Sequence, residues 1–241
     1  MSNKRNLTNV KLISGIGVFS ALAIIVAFAT SAIKVGFLSF DAKDAVITLA
    51  AFIYGPFSGV LIAAVAALVE FLTFSTTGLY GLLMNFVSSA TFVLVSSLVY
   101  ARKKTFNFAI VGIYAGVICV TAVMLVLNIF VTPHYMGTTM EAVIALLPTI
   151  LLPFNFVKAL FNGGAVLLLY KPLVRAMRRA RLTPPSKSAA SRESSPTVCA
   201  SVTHERRMGK NTALALVIGG ISVALAVVAL VLLSVFQPWK T

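Results

Sequence analysis

The sequence predicts an all-α membrane protein that crosses the bilayer several times. Of its 241 residues, 59% are hydrophobic and only 11% are charged, and the mean hydropathy is +0.98. Several apolar runs reach the length of about 20 residues that a helix needs to cross the hydrocarbon core. The first run is long, lacks a small-residue cleavage site and is followed by further runs, so we interpret it as a helix rather than a removed signal.

The distribution of charge predicts a membrane partner. A formal net charge of +14 would also suit a nucleic-acid-binding protein, but the basic residues lie in three blocks just outside apolar runs. That pattern is typical of cytoplasmic anchoring at a lipid bilayer, and we expect no nucleic-acid partner. Cys119 and Cys199 provide no disulfide framework.

The chain is expected to divide into three parts. Residues 1–182 form a membrane domain, residues 183–211 form a flexible cytoplasmic linker rich in Ser, Pro, Ala and Thr, and residues 212–241 hold one more membrane helix and a short tail. The predicted spans, six in the first part and a seventh in the last, cover about 12–33, 45–54, 57–74, 80–100, 107–131, 148–170 and 212–236.

The first span contains two small-xxx-small patterns, Gly17-xxx-Ala21 and Ala23-xxx-Ala27. Small residues at this spacing let membrane helices approach closely. The pattern is common by chance in Ala-rich spans, so both registers remain open as a helix-packing surface.

The connector that follows, residues 34–44, combines polar residues with Phe37, Leu38 and Phe40. Its composition suggests a short extended or hairpin-like segment. Three large apolar residues are more than an exposed connector needs, so we favour a lid over an ordinary loop. The connector at 132–147 is also long enough to fold over a site.

Polar residues inside the sixth span provide the main functional signal. Asn155 and Lys158 are three residues apart and Asn162 is seven residues from Asn155, so a helix places them on one face. A membrane lysine costs about 3 kcal/mol on insertion scales and normally faces a bundle interior or a cavity. The alternatives are a polar ligand pocket and a lysine that extends to a nearby interface. Pro153 removes a backbone donor near the start of this helix.

Counting basic residues orients the chain. With seven spans and a cytoplasmic N-terminus, sixteen of the twenty Lys and Arg residues lie inside, which the positive-inside rule favours. The C-terminus then lies outside. The polar residues of three spans fall in the outer halves of those spans, beneath the proposed lid, where they would form a site for a polar solute. They are Asn85, Asn128, Asn155 and Lys158.

Motifs for the common enzyme chemistries are missing from the sequence. There is no Gly-x-x-x-x-Gly-Lys-Ser/Thr phosphate loop, no His-Glu-x-x-His and no Gly-x-Ser-x-Gly. The topology separates His134 from His204, so they are not expected to share a metal. Glu70 is the lone carboxylate within a predicted span and lies near its end, which favours an interfacial, solvated side chain over a functional one.

The arrangement of motifs resembles the riboflavin-specific substrate-binding (S) component of energy-coupling factor (ECF) vitamin transporters. The resemblance covers about residues 10–180 and rests on several short motifs in order. They are Phe37-Leu-Ser-Phe-Asp41, Tyr54-Gly-Pro-Phe-Ser-Gly59, Met84-Asn85-Phe86, Leu127-Asn128 before Pro133, and Leu152-Pro-Phe-Asn-Phe-Val-Lys158.

The resemblance implies a six-helix S-component bundle, with the seventh helix as a departure from the family pattern. It implies a riboflavin-binding subunit with no catalytic residues, no metal and no cofactor, driven by a transmembrane coupling protein and two cytoplasmic ATPases. Gly17 and Ala21 match the surface that docks on the coupling protein. The implied substrate-binding residues are Phe37, Leu38, Phe40, Asp41, Met84, Asn85, Asn128, Asn155 and Lys158.

Two alternatives to riboflavin uptake remain open at this stage. One is an S component for another vitamin or small solute, with the same fold. The other is a membrane enzyme or an assembly scaffold that uses the Lys158 pocket for a lipid.

Overall fold

The computed structural model describes residues 2–35, 38–73, 75, 78–179 and 217–229, and almost all of them are helical. One very short antiparallel hairpin interrupts the helices, with Lys34 opposite Ser39 and Val35 opposite Leu38. In chain order the elements are α1 Ser2–Thr30, β1 Lys34–Val35, β2 Leu38–Ser39, α2 Lys43–Tyr54, α3 Pro56–Thr73, α4 Gly78–Lys103, α5 Phe106–Met136, α6 Met140–Leu146, a π-helical turn Leu147–Leu151, α7 Leu152–Arg179 and α8 Val217–Ala229.

Five helical stretches of the described chain are long and apolar enough to cross a membrane. They are Leu12–Thr30, Pro56–Thr73, Gly78–Lys103, Phe106–Met136 and Met140–Pro172. The predicted second span corresponds to α2, which has only 12 residues and is too short to cross alone. The predicted linker 183–211 lies outside the described residues, and the predicted seventh span is described only as α8.

The short helix α2 lies at the centre of the bundle. Every residue from Lys43 to Phe52 is buried, and α2 packs against α1, α3, α4 and α7. A helix that is buried on all sides needs no polar face, which agrees with the almost continuous apolar run from Ala45 to Ile53. The two charged residues at its N-terminus are therefore carried into the interior of the protein.

Glycines allow α4 and α5 to lie in close contact. A methyl group added at Gly112 would lie 2.5 Å from the backbone oxygen of Ser96, so only glycine fits there at this helix separation. Gly116, one turn further along α5, meets the side chains of Ser96 and Phe92 in the same way. Small residues at four-residue spacing are typical of packed membrane helices.

The prediction of a long loop at 132–147 is wrong. Helix α5 continues to Met136, and only Gly137, Thr138 and Thr139 separate it from α6. Pro133 lies in the last turn of α5, where a missing N–H removes one helical hydrogen bond without ending the helix. Gly137 then ends it in the left-handed conformation, with φ 64° and its N–H donated to Pro133 O.

The two small-residue patterns of α1 lie on different faces of the helix. Ala23 and Ala27 are buried, with exposed fractions of 0% and 2%, and Ala23 packs in the core beside α2 and α3. Gly17 and Ala21 are exposed, and a methyl group added at Gly17 would meet no atom within 4 Å. The first register therefore remains open to a partner, whereas the second is used inside the bundle.

Candidate functional site

A cavity of about 560 Å³ lies against the hairpin and is walled by α1, α3, α4, α5 and α7. This volume lies within the range of small-molecule binding sites. The larger apolar side chains at the cavity are Phe28, Leu38, Met84, Met124 and Phe154, and the polar residues are Ser31, Ser39, Glu70, Ser75, Asn85, Tyr135, Asn155 and Lys158.

Helix α7 supplies two of the polar groups at the cavity. Asn155 and Lys158 both line it, as their three-residue spacing predicts. Asn155 Nδ2 donates to Leu151 O at 2.7 Å, which orients the amide at the junction with the π-helical turn. The predicted stripe of polar residues on one face of this helix is therefore present in the structure.

Lys158 forms an ion pair inside the protein. Its Nζ donates to Asp41 Oδ2 at 2.7 Å, and its side chain is only 11% exposed. The lysine is thus neutralised internally and does not extend to an interface. Asp41 follows the hairpin directly, so this pair connects the hairpin to α7.

A second ammonium group contacts the same carboxylate. Lys43 Nζ lies 3.3 Å from Asp41 Oδ2. Burial alone would raise the pKa of Asp41, but the positive charges of Lys158 and Lys43 outweigh burial and lower the pKa from its ordinary value of 3.8 to about 2. Asp41 is therefore ionised throughout the physiological pH range.

Lys43 extends the network to the opposite wall of the cavity. Its Nζ donates to Glu70 Oε2 at 2.7 Å, and Glu70 Oε1 accepts a bond of 2.9 Å from Asn85 Nδ2. The prediction of a solvated Glu70 is wrong, since this residue is 8% exposed. Lys43 is 1% exposed because α2 begins within the bundle.

Together these contacts form a continuous polar network from α7 to α4, through buried Lys158, Asp41, Lys43 and Glu70 to half-buried Asn85. Three members of this network line the cavity: Glu70, Asn85 and Lys158. Removing one partner of a buried ion pair typically costs 3–5 kcal/mol, because the other charge is left uncompensated. The network therefore holds the polar groups at the cavity in defined positions.

Asn162 connects α7 to the start of α2 without reaching the cavity. Its Oδ1 accepts from Ala45 N at 2.9 Å, which satisfies one of the unpaired N–H groups at a helix N-terminus. Its Nδ2 donates to Asp41 O and to Lys158 O, both at 3.0 Å. Asn162 thus positions the Asp41–Lys158 pair from behind.

Three more of the predicted site residues, Leu38, Met84 and Asn85, line the cavity. Phe40 does not, since it is 1% exposed and packs edge-on against Phe161 at 5.1 Å between ring centres. Phe37 lies outside the described residues.

The structure places Asn128 away from the set of residues that lines the cavity. It is fully buried, its Nδ2 donates to Met124 O at 2.7 Å, and its Oδ1 accepts from Thr132 Oγ1 at 2.9 Å. Met124, one turn before Asn128 on α5, lines the cavity instead.

Sequence reasoning missed the part of the site that α2 and α3 contribute. Asp41, Lys43 and Asp44 lie within four positions at the start of an apolar helix. In an otherwise uncharged region, this cluster of charges is the sequence signal for a buried polar site. Asp44 is also buried and accepts a hydrogen bond from Ser89 Oγ of α4. Surplus opposite charges near an intramembrane carboxylate predict buried pairing.

An all-helical membrane bundle that encloses a cavity of mixed polarity defines a class of protein that binds a small solute within the bilayer. Residues 11–174 match the family model described as "ECF transporter, substrate-specific component". The chain therefore belongs to the ECF transporter substrate-specific component family.

Two individual comparisons agree with this assignment. The chain is 29% identical over 184 residues to the riboflavin transporter RibU of Staphylococcus aureus (strain TCH60), a match that covers 73% of this chain and 97% of that protein. Its structure resembles a solved S component of a bacterial ECF transporter with a TM-score of 0.59 and 29% sequence identity, over 74% of this chain and all of that one.

Proposed function

We propose that this protein is a riboflavin-binding S component of an ECF-type importer, which captures riboflavin from outside the cell for ATP-driven uptake. The observation that carries the proposal is the cavity in which Asn155 and Lys158, from the Leu152–Lys158 motif, stand opposite Met84 and Asn85. A relative that is similar along almost its whole length is named as a riboflavin transporter.

The chemistry of the cavity suits a flavin. A flat tricyclic ring needs apolar walls, which Phe28, Met84 and Phe154 supply. Ring carbonyls and ribityl hydroxyls need a few amide and ammonium partners. An ammonium group has three N–H donors, and the bond to Asp41 engages one of those on Lys158, so we assign a ligand carbonyl to this residue.

We assign the amide contacts to Asn85 and Asn155, and the cover of the ligand to the hairpin that carries Phe37 and Leu38. Asn128 belongs to the same proposal through its motif, and its contact with the ligand requires it to exchange the helix-internal bonds to Met124 and Thr132 for bonds to riboflavin. Asp41 and Phe40 act from behind the site, through Lys158 and through packing on α7.

The energy for transport is assigned to partner subunits. Each importer would combine this chain with a transmembrane coupling protein and two cytoplasmic ATPases, and the exposed Gly17 and Ala21 of α1 would form the docking surface. The proposed topology counts the short α2, enclosed by four other helices, as one of six spans, with a cytoplasmic N-terminus. A seventh span then places the C-terminus outside, in accordance with the positive-inside rule.

Fluorescence titration of riboflavin with the purified protein tests the proposal. Free flavin fluoresces and stacking in a pocket quenches it, so we expect saturable quenching at about one ligand per chain. Lys158→Ala should weaken binding by roughly 10- to 150-fold, which corresponds to about 1.5–3 kcal/mol for a charged hydrogen-bond partner. The matched control is Lys103→Ala, since Lys103 lies exposed at the end of α4.

If folded protein leaves the fluorescence of riboflavin unchanged, riboflavin is rejected as the ligand. A panel of other vitamins then distinguishes an S component with a different solute from a protein that binds none.

A further inference from the structure

Helix α8 packs closely against α7, although it lies beyond the residues 11–174 that match the family model. A methyl group added at Gly219 would lie 3.0 Å from the backbone oxygen of Gly164 and 2.9 Å from Leu168 Cγ. The reverse is also true, since a methyl group at Gly164 would lie 3.0 Å from Gly219 O. Two glycines facing each other bring the helix backbones together, as in tightly associated membrane helices.

The buried face of α8 continues along the helix with small residues. Gly219, Ser222 and Ala226 are all buried, at the three- and four-residue spacing of one helical face. Ser222 Oγ lies 2.9 Å from Tyr114 OH of α5, so a hydrogen bond joins α8 to a second helix. The opposite face is exposed and apolar, as lipid contact requires; it comprises Val217, Ile221, Leu225 and Val228.

The far end of α8 reaches the part of the bundle that holds the hairpin. Ala226 is fully buried in a cluster with Phe40, Phe154 and Val157, and Ala229 packs against the same cluster. Phe40 is the residue between the hairpin and Asp41, and Phe154 lines the cavity. The helix therefore supports the ligand site from behind, at the point where the hairpin joins α7.

We propose that α8 is an intramolecular brace that holds the Phe40 end of the hairpin against α7 and thereby slows release of the bound solute. The functional half of this inference rests on the proposed riboflavin binding. For the hairpin to move away from the cavity, Phe40 must leave Phe161 and the Ala226 cluster. Each contact that α8 adds to this cluster stabilises the closed position and has no counterpart in the open one.

Two pairs of substitutions on α8 test the brace in the full-length protein. Gly219→Val places a side chain against Gly164 O, whereas Gly220→Val is a matched control, because a methyl group at Gly220 meets no atom within 4 Å. Ala226→Leu overfills the Phe40 cluster, whereas Val227→Leu changes the neighbouring residue, which is 45% exposed. None of these four residues lines the cavity.

The first readout is the rate of riboflavin release, measured by the recovery of fluorescence after dilution. We expect Gly219→Val and Ala226→Leu to release the ligand about threefold or more faster than their controls, since weakening the contacts that favour the closed hairpin raises the population of the open state from which the ligand leaves. Release at the control rates by both buried-face variants would overturn the proposal.

The second readout needs no ligand. Phe40 N donates to Ile33 O at 2.9 Å and Ala42 N donates to Thr30 Oγ1 at 3.1 Å, so hydrogen exchange of these two amides reports on the hairpin and its anchor. Faster exchange in Gly219→Val and Ala226→Leu alone supports the brace, and exchange equal to the controls rejects it. Wild-type protein that fails to quench riboflavin rejects the proposed function, while this comparison still tests the brace.

Discussion

Lys158 Nζ and Asp41 Oδ2 are 2.7 Å apart, and this bond joins the cavity-lining face of α7 to the end of the hairpin. Asn162 fixes the same two residues from behind by donating to both of their backbone oxygens. A ligand carbonyl that accepts from Lys158 would thus also contact the residue that anchors the hairpin. If Lys158 holds the ligand as proposed, ligand binding and the position of the hairpin are coupled through a single ammonium group.

The Lys158–Asp41 pair predicts a separation between stability and binding. Lys158→Met should lower the free energy of unfolding by up to about 3–5 kcal/mol, because it leaves the buried Asp41 carboxylate with only the longer, 3.3 Å contact to Lys43. Adding Asp41→Asn removes that charge, so the double variant should regain part of the stability but bind riboflavin as weakly as Lys158→Met. Thermal unfolding in detergent and flavin titration measure the two quantities. Recovery of affinity in the double variant would show that Lys158 only pairs with Asp41.

The low pKa of Asp41 predicts how stability depends on pH. Since the folded-state pKa of about 2 lies below the ordinary value of 3.8, ionised Asp41 contributes stability that is complete above the ordinary value. The contribution is lost as the pH falls toward the folded-state value. We therefore expect Asp41 to add no pH dependence to the unfolding temperature between about pH 5 and about pH 8.

Asp41→Asn provides the comparison for this acid dependence. The variant should be less stable at neutral pH and should lose less stability than the wild type between about pH 4 and about pH 2. Parallel acid profiles for the two proteins would contradict the assignment of a depressed pKa to Asp41.

Glu70 predicts a further effect on both folding and binding. Glu70→Gln removes the charge that pairs with Lys43 and changes the acceptor for Asn85. We expect destabilisation of up to about 3–5 kcal/mol, since Lys43 keeps only its 3.3 Å contact with Asp41. Riboflavin binding should also weaken, because Glu70 and Asn85 both line the cavity. Glu141→Gln is the control, since Glu141 lies exposed in the first turn of α6, and its effect should stay within about 0.5 kcal/mol. Equal unfolding curves for the two variants would contradict the buried network.

Sequence reasoning identified the contribution of α7 to the site because helical spacing is a local property. Asn155, Lys158 and Asn162 share a face in any regular helix, and the structure adds only their partners. The pairing of Lys43 with Glu70 is different in kind, because it depends on α2 being enclosed by four other helices. The cluster of opposite charges at the start of this 12-residue helix signals pairing, but its enclosure and the partner on α3 are tertiary effects that local spacing does not give.

The connector predicted at 132–147 shows the same limit. Helix α5 continues past Pro133 until Gly137 adopts φ 64°. The residues that follow also form a continuous helical stretch, through α6 and a π-helical turn into α7. A single proline in a last turn removes only one hydrogen bond, so packing decides whether the helix continues. None of the residues that we assign to the ligand lies within 132–147, so the proposed assignment does not depend on this prediction.

The two small-residue registers of α1 predict opposite consequences for the same type of substitution. Gly17→Leu and Ala21→Leu change an exposed face, so both should leave folding and riboflavin binding unchanged. Both should weaken association with the coupling protein, because that association requires close helix contact. Ala23→Leu overfills a position that is 0% exposed and should destabilise the isolated subunit by about 1–3 kcal/mol. Flavin titration of the isolated protein and co-purification with coexpressed ECF subunits distinguish the two faces. If Gly17→Leu and Ala21→Leu assemble as well as the wild type, the exposed register is not the docking surface, and a different face of the bundle must contact the coupling protein.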